Sequence, residues 1–453
     1  MNTRWSFAWK RLSSVWTIAD LRNKILFTLG LLLVYRILAH ITVPLTHQEL
    51  VNLSNLSGSG KNQNLGQLLG LLDVFSGGSL LTFSVVALGV APYITATIVM
   101  QLLQPLIPAL HNLSTQGEAG RLRFSQITRI VTVPLAFLQA FGQSAIFTRV
   151  GVLDANTFNL FGPNWLETLS ILLSLTTGTM ILLWIGELIT ERGIGNGISL
   201  IIFAGIVSRI PQLVQQGFVA STSTGGNGGG IVSIGVFLFI GLLTLLGIVF
   251  IYQGQRRIPV QHPTKRMVGR GLQVGSAQTS YIPLQVNSTG MIPLIFAQSM
   301  LIFPALLSQY LIGSQIQWIA GIALWTGTYL ANTSLWYYWF TYFALVVVFT
   351  YFYAYVLWQQ QNIPENLQKQ GAFIPGYRPG ESTRKFLSTI LNRLTLGGAL
   401  FLGVVAILPF VSQVGGNQLL SSASLLIVVG VVLDTVRQLD AHMVMRNYSG
   451  FLS

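Results

Sequence analysis

The side chains of this chain best equipped to do chemistry are basic, and they gather in two places. Arg256, Arg257, Lys265, Arg266 and Arg270 fall within 253–289, and Lys369, Arg378, Arg384, Lys385 and Arg393 fall within 359–393. Both stretches are long, lie between apolar runs and are punctuated by Pro and Gly. Arg378 sits in the turn GYRPG. Guanidinium and ammonium groups gathered on such loops suit anionic partners, either nucleic-acid phosphates or an acidic protein surface. The plainer role for the same charges is to fix membrane orientation. Orientation, however, requires neither a long loop nor a Pro/Gly turn around one Arg.

The rest of the inventory is thin. The histidines (His40, His47, His111, His262 and His442) are scattered, without metal-ligand spacing. There is no cysteine, which excludes disulfides, thiolate catalysis and Cys-ligated metals. No phosphate-binding glycine loop of the P-loop type is present. GIGNG at 193–197 is glycine-rich but joins two apolar runs, not a strand and a helix. Glu187 and Asp434 stand near the ends of apolar runs, and Arg36 lies where it can snorkel outward. No apolar run carries a central Asp, Glu or His pair. Ion-coupled transporters need such groups at mid-membrane, so the pattern argues for a passive pathway with its energy supplied by a partner.

The elements that must position these residues are membrane helices. Of 453 residues, 51% are hydrophobic and only 8% charged. A soluble domain carries about 25% charged residues. Most of the surface must therefore face lipid. Apolar runs near helix-spanning length predict ten spans, at about 25–43, 80–104, 127–147, 168–189, 194–214, 231–252, 290–311, 338–358, 394–412 and 418–436. With a cytosolic N-terminus, ten spans place 21 of the 25 Lys and Arg residues in cytosolic segments. Only Arg36, Lys61, Arg149 and Arg209 fall elsewhere. The basic N-terminus MNTRWSFAWKRLSSVW reads as a retained cytosolic segment.

Several segments depart from ordinary spans. The link around Glu191–Gly193 is so short that the fourth and fifth spans must form a tight hairpin. Residues 65–75 (LGQLLGLLDVF) are apolar but too short to cross, and Ser76-Gly77-Gly78-Ser79 follows as a hinge. Two readings stand: a re-entrant helix folded into a cavity, or an amphipathic helix on the surface. Gly89 and Pro92, and Gly290 and Pro293, mark two spans as bendable. Residues 54–64 and 221–230 read as polar connectors.

Long, ordered stretches then carry a resemblance. They are DVFSGGS at 73–79 with ALGVAPYITATIVMQLL at 87–103, GELITERGIGNGISLIIFAGIV at 186–207, and GQRRIPVQ at 254–261 with VNSTGMIPLIFAQS at 286–299. ENLQKQGAFIPGYRPGESTRKFL at 365–387, LNRLTLGGALFL at 391–402 and SLLIVVGVVLDTVRQLDAHMVMRNYSGFL at 424–452 complete the set. Over nearly its whole length the chain resembles the SecY/Sec61-alpha family of protein-conducting channels. The resemblance implies an all-α polytopic membrane protein of ten transmembrane helices, in two inverted pseudo-symmetric five-helix halves (1–213 and 231–453) joined by a connector at 214–230. It implies a re-entrant plug helix at about 65–76, including Leu68, Leu69, Leu72, Asp73 and Phe75.

The family's pore ring falls on Val90, Ile94, Ile202, Ile292 and Ile427. A narrow ring of branched aliphatic side chains gates by dewetting. Val90 is smaller than the isoleucine common at that position, so the ring is expected to be slightly looser. Lateral-gate positions fall on Thr95, Gln139 and Asn287, the last at the start of the seventh helix. The two basic loops, through Arg256, Arg257, Lys265, Arg266, Arg270 and Arg378, would dock the SecA motor ATPase or the ribosome. The implied protein is no enzyme and needs no cofactor. It threads unfolded preproteins across the bacterial cytoplasmic membrane and releases hydrophobic helices into the lipid bilayer. Its expected companions are SecE-type and SecG-type subunits, and both its termini are cytosolic. A secondary transporter or small-solute permease built from inverted repeats is the alternative. Solute movement without partners would distinguish it.

Overall fold

In the computed structural model of the chain the apolar runs fold as helices. The structure describes residues 18–46, 49, 76–80, 82–104, 106–115, 117–149, 151–153, 165–223, 241–242, 244–262, 265–268, 271–274, 278–311, 317–330, 335–361, 363–378, 380–412 and 422–449. In chain order the helices are α1 (Ala19–Leu38), α2 (Ala91–Leu103), α3 (Pro108–Thr115), α4 (Glu118–Arg149), α5 (Trp165–Arg192) and α6 (Gly197–Ser223). A short apolar helix, α7 (Thr244–Gln253), follows. After four strands come α8 (Ile292–Leu311), α9 (Gln317–Leu330), α10 (Trp336–Gln361), α11 (Ile363–Lys369), α12 (Glu381–Ser412) and α13 (Ser422–Ser449).

Among the described residues, four helices are long and apolar enough to cross a membrane: Leu122–Thr148, Trp165–Arg192, Trp336–Lys369 and Glu381–Leu408. Shorter apolar helices cover Ala91–Leu103, Gly197–Pro211, Thr244–Gln253 and Ile292–Leu301. Several helices are uniformly apolar, as lipid on one side and protein on the other require. One helix was not expected. α9 lies between the expected seventh and eighth spans, and Trp318, Ile322, Leu324 and Trp325 on it are exposed. Its 14 residues are too few to cross, and exposed Trp side chains suit the membrane–water boundary.

The chain divides into two compact units, one of 1–226, 299–338 and 427–453, the other of 227–298 and 339–426. In the first unit α5 packs on α4, α6, α1 and α2, and α4 packs on α2 and α3. The core includes Val43, Leu80, Phe83, Ile146, Phe147, Leu172 and Leu175. The Phe83 and Phe147 rings meet at 4.6 Å. α13 closes on the chain's beginning, with Leu439 and Met443 packed against Leu21 and Ile194.

The run at 80–104 is a helix only from Ala91 onward. Residues 77–80 and 82–90 form successive turns, with Gly77 (φ +69°), Gly78 (φ +87°) and Gly89 (φ +58°) in the left-handed region. Hydropathy registers apolar character, and both halves of this run are apolar. It does not register whether the backbone bonds to itself as helix or to neighbours as turn.

In the second unit, Gln255–His262 (β1) pairs antiparallel with Gln278–Gln285 (β4). Lys265–Val268 (β2) pairs with Gly271–Val274 (β3). The stretch read as a loop at 253–289 is therefore hairpin over most of its length. On the helical side, the Phe296 ring stands edge-on to Phe349 (6.1 Å) and Tyr353 (5.9 Å). A side-chain carbon at Gly403 would overlap the Phe343 ring, so α12 approaches α10 closely there.

Candidate functional site

The approach to α2 is built from hydrogen bonds. The Ser79 hydroxyl contacts the Ser76 carbonyl (2.6 Å) and the Val86 carbonyl (3.1 Å). The Leu80 amide donates to the Ser76 hydroxyl at 3.2 Å. The chain just after α1 flanks the turns as a short ladder: the Val43 amide donates to the Phe83 carbonyl (3.1 Å), and the Val85 amide to the Ile41 carbonyl (2.9 Å). On the far side Val85 presses its carbonyl onto α5 at Gly178, where any Cβ would overlap that oxygen. Ser76-Gly77-Gly78-Ser79, expected as a hinge, is a bonded turn. Arg36, expected to snorkel, instead donates from Nη1 to the Gly77 carbonyl at 3.0 Å.

Val90 ends these turns as the N-cap of α2, and the Ile94 amide donates to its carbonyl at 3.1 Å. The two residues thus share one helix face, four apart. Val90 (5% exposed), Ile202 (4%) and Ile427 (1%) are buried, whereas Ile94 and Ile292 are half-buried. Ile202 lies on α6, Ile427 on α13, and Ile292 is the first residue of α8. The residues expected in a plug, Leu68, Leu69, Leu72, Asp73 and Phe75, lie outside the described residues.

Two of the residues expected at a lateral gate meet. Gln139 Nε2 donates to Thr95 Oγ1 at 3.2 Å, joining α4 to α2. Thr95 Oγ1 in turn donates to the Ala91 carbonyl at 3.0 Å, which fixes its rotamer. Asn287, expected at the start of a helix, lies in the turns before α8. It is buried, accepts from the Thr289 hydroxyl at 3.1 Å, and packs where Gly398 lets α12 approach the Val286 carbonyl. An ion pair that the sequence did not single out joins Arg129 of α4 to Glu187 of α5.

The tight link after α5 owes its form to its glycines. The Thr190 hydroxyl donates to the Gly186 carbonyl (2.8 Å) and accepts from the Gly197 amide (2.9 Å). A Cβ at Gly197 would overlap the Gly186 carbonyl. Asn196 Oδ1 accepts from the Ile198 and Ser199 amides at 3.2 and 3.3 Å and caps α6. The glycine-rich motif serves a helical hairpin.

The two basic loops, read separately in the sequence, form one body. The Gln261 amide donates to the Phe373 carbonyl at 2.9 Å, and the Phe373 amide to the Gln261 carbonyl at 3.0 Å. Beneath this bridge, Ile258, Val260 and Leu284 of the hairpin share a core with Leu367, Ala372, Ile374, Leu387 and Ile390. Arg256 and Arg257 are exposed beside it, and alternation along β1 directs them to opposite faces. Arg378 is exposed in a turn held by its own carbonyl, which accepts from the Thr383 hydroxyl at 2.8 Å. Gly376 (φ +87°) and Gly380 (φ +108°) bracket that turn. The Tyr377 ring stacks on Phe386 at 4.0 Å. Lys265 and Arg266 lie on β2, and Arg270 lies outside the described residues. A groove of about 240 Å³ runs beside the Arg378 turn, lined by residues including Trp358, Glu365, Glu381 and Arg384. Among the described residues no group of His, Asp or Glu side chains could hold a metal ion.

The SecY family model matches residues 84–436. The protein translocase subunit SecY of Mycobacterium bovis is 40% identical over 451 residues, covering 97% of this chain and 99% of its own. The Streptomyces scabiei protein translocase subunit SecY is 40% identical over 449 residues, 96% of this chain and 97% of its own. Among solved structures, one described as that of a protein conducting channel matches with a TM-score of 0.61 at 18% identity, over 93% of this chain and 92% of that chain. Sec61 in a canine ribosome–channel complex from the endoplasmic reticulum matches with a TM-score of 0.62 at 18% identity, over the same shares of the two chains. Relatives aligned end to end at this identity, together with a family model spanning most of the chain, show that the chain belongs to the SecY family.

Proposed function

We propose that this multi-pass membrane protein is the channel-forming subunit of a protein translocase. It passes unfolded secretory chains across the membrane and releases hydrophobic helices sideways into lipid. The observation that carries the proposal is the end-to-end likeness to protein translocase subunits named SecY. The local geometry suits the role. Buried or half-buried aliphatic residues stand at each expected ring position, and one polar bond joins two gate positions. Arg256, Arg257 and Arg378 are exposed on a single folded body.

The finer reading is ten spans in two inverted halves, 1–213 and 231–453, with the connector at 214–230 between them. Val90, Ile94, Ile202, Ile292 and Ile427 form the ring. Residues 65–76 are the plug, and Thr95, Gln139 and Asn287 belong to the lateral gate. The membrane is the bacterial cytoplasmic membrane, with both termini in the cytosol. SecE-type and SecG-type subunits complete the channel. SecA or a ribosome docks on the basic body, and one solved relative is a ribosome-bound Sec61.

Reconstitution tests the function. Vesicles holding the purified complex should import an unfolded precursor when the motor and ATP are added, and should retain small solutes without them. Solute flux with no protein import would refute the proposal.

A further inference from the structure

We propose that Tyr35 and Arg36 of α1, together with the Gly205–Arg209 segment of α6, form a clasp on the Ser76–Gly78 turn that holds Val90 and the start of α2 in the closed channel. The inference rests on the reading of Val90 as a ring residue. Arg36 and Arg209 are two of the four basic residues outside the cytosolic set, and the clasp gives both a position in the fold.

Three observations carry it. First, the carbonyls of the turn are met by side chains of α1. The Tyr35 hydroxyl donates to the Ser76 carbonyl at 3.3 Å, and Arg36 Nη1 to the Gly77 carbonyl at 3.0 Å. Tyr35 is 3% exposed, so the first of these bonds is shielded from water. Second, α6 closes the other side. A Cβ at Gly77 would stand 2.6 Å from Gly205 Cα and 2.7 Å from the Tyr35 hydroxyl. A Cβ at Gly78 would stand 3.2 Å from Arg209 Nε. Ser208 Oγ lies 3.4 Å from the Gly77 carbonyl and 2.7 Å from the Gly205 carbonyl. With one proton, that hydroxyl chiefly serves the nearer acceptor, so contact with α6 and the Arg36 bond dominate. Third, backbone bonds tie the described turns between the clasp and Val90 to one another and to the chain after α1. The Ser84 amide donates to the Ser79 carbonyl (3.0 Å), the Val85 amide to Ile41 (2.9 Å), the Ala87 amide to Ser84 (2.9 Å) and the Gly89 amide to Val86 (2.8 Å). Displacement at Gly77 therefore reaches Val90 instead of dissipating in a loose loop.

The wild-type chain has no cysteine, which gives a clean background for a reporter. Thr42 and Ser84 face each other in an isolated antiparallel bridge. The bonds from Val43 to Phe83 and from Val85 to Ile41 flank this pair, which makes it the non-hydrogen-bonded kind. Such pairs have Cα atoms about 4.5 Å apart, within disulfide range. The experiment uses the assembled translocase complex in proteoliposomes. It measures the oxidation rate of Thr42→Cys with Ser84→Cys, and separately the resting ion conductance without the cysteines. Both are read with Arg36→Ala and with Gly205→Ala, whose added methyl crowds Tyr35 and Gly77 from the opposite side. Val90→Gly serves as the ring control. Losing one hydrogen bond corresponds to roughly fivefold in a local equilibrium. The undocked population should rise by up to about that factor, the disulfide rate should fall with the docked population, and resting conductance should rise. An unchanged disulfide rate in both variants overturns the clasp, whatever Val90→Gly does. A slower disulfide with unchanged conductance, where Val90→Gly does leak, overturns the link from clasp to ring. If Val90→Gly itself does not leak, the ring reading fails and the disulfide rate alone decides the clasp. Should Arg36→Ala fail to assemble, Gly205→Ala decides by the same criteria.

Discussion

Ile258→Ala tests whether the two basic loops are one body. Ile258 is 3% exposed, pairs with Ile282 across the hairpin, and packs in the core formed with Leu367, Ile374 and Leu387. Cutting a buried Ile to Ala costs about 2–4 kcal/mol, from lost burial and the remaining cavity. The cost falls on the local opening of this body, since the core that holds Ile258 is confined to it. At 1.36 kcal/mol per tenfold, the open population should rise roughly 30- to 1,000-fold. The informative readout is hydrogen exchange of two amides far apart in sequence, Gln261 and Phe373, which donate to each other's carbonyls at 2.9 and 3.0 Å. Peptide-level exchange on the complex in nanodiscs should show both amides accelerating by the same factor. Arg256→Ala, on the same strand but exposed, should leave both as they were. Acceleration at Gln261 with full protection retained at Phe373 would mean that the loops open separately, and the single-body reading would be wrong.

Gly178→Ala should lower thermal stability by about 1–3 kcal/mol, because its methyl overlaps the Val85 carbonyl and the turns must shift; an unaltered melting curve would contradict the close approach. A double-mutant cycle of Thr95→Val and Gln139→Leu should give a coupling of about 0.5–1.5 kcal/mol, the range for polar bonds between membrane helices. Coupling indistinguishable from zero would remove the bond as a gate element. Arg378→Glu should leave the protein inserted and the exchange of Phe373 unchanged, since the residue is exposed, yet cripple motor-driven import. Normal import by that variant would refute the docking role. Deleting 65–76 should raise ion leakage through the resting channel, and unchanged conductance would argue against a plug there.

Much of the helical fold was legible because lipid imposes a simple rule. A span must be apolar throughout, and charge collects outside it. That rule located α4, α5, α10 and α12, all long enough to cross. It could not locate α9, whose apolar run is short and lies among other apolar runs. It misplaced the start of α2, since turns packed between α1 and α5 are as apolar as a helix. Loop chemistry was legible only in part. Pro and Gly around Arg378 marked an ordered turn, and GIGNG marked a hairpin. Nothing local in Gln261 or Phe373 shows that they pair, because the two are far apart in sequence and their partnership depends on the shared core beneath.

Non-helical backbone at membrane depth is tolerated only where protein covers it and satisfies its polar groups. If the proposed spans place them at that depth, the turns at 77–80 and 82–90 meet the condition by two means. Their polar groups bond within the segment, as from Ser79 to Ser76 and Val86, or to neighbours, as from Val85 to Ile41. Their closeness to the helices depends on glycine in the neighbour: Gly178 admits the Val85 carbonyl, and Gly205 admits Gly77. A segment held this way has few intermediate positions, because each neighbour is already at contact distance. It either sits in its slot or leaves it. That is a suitable mounting for a ring residue. On the proposed reading of Val90 as a ring residue, it would be held firmly while the channel rests and displaced as a unit if α2 moved, without unravelling any helix.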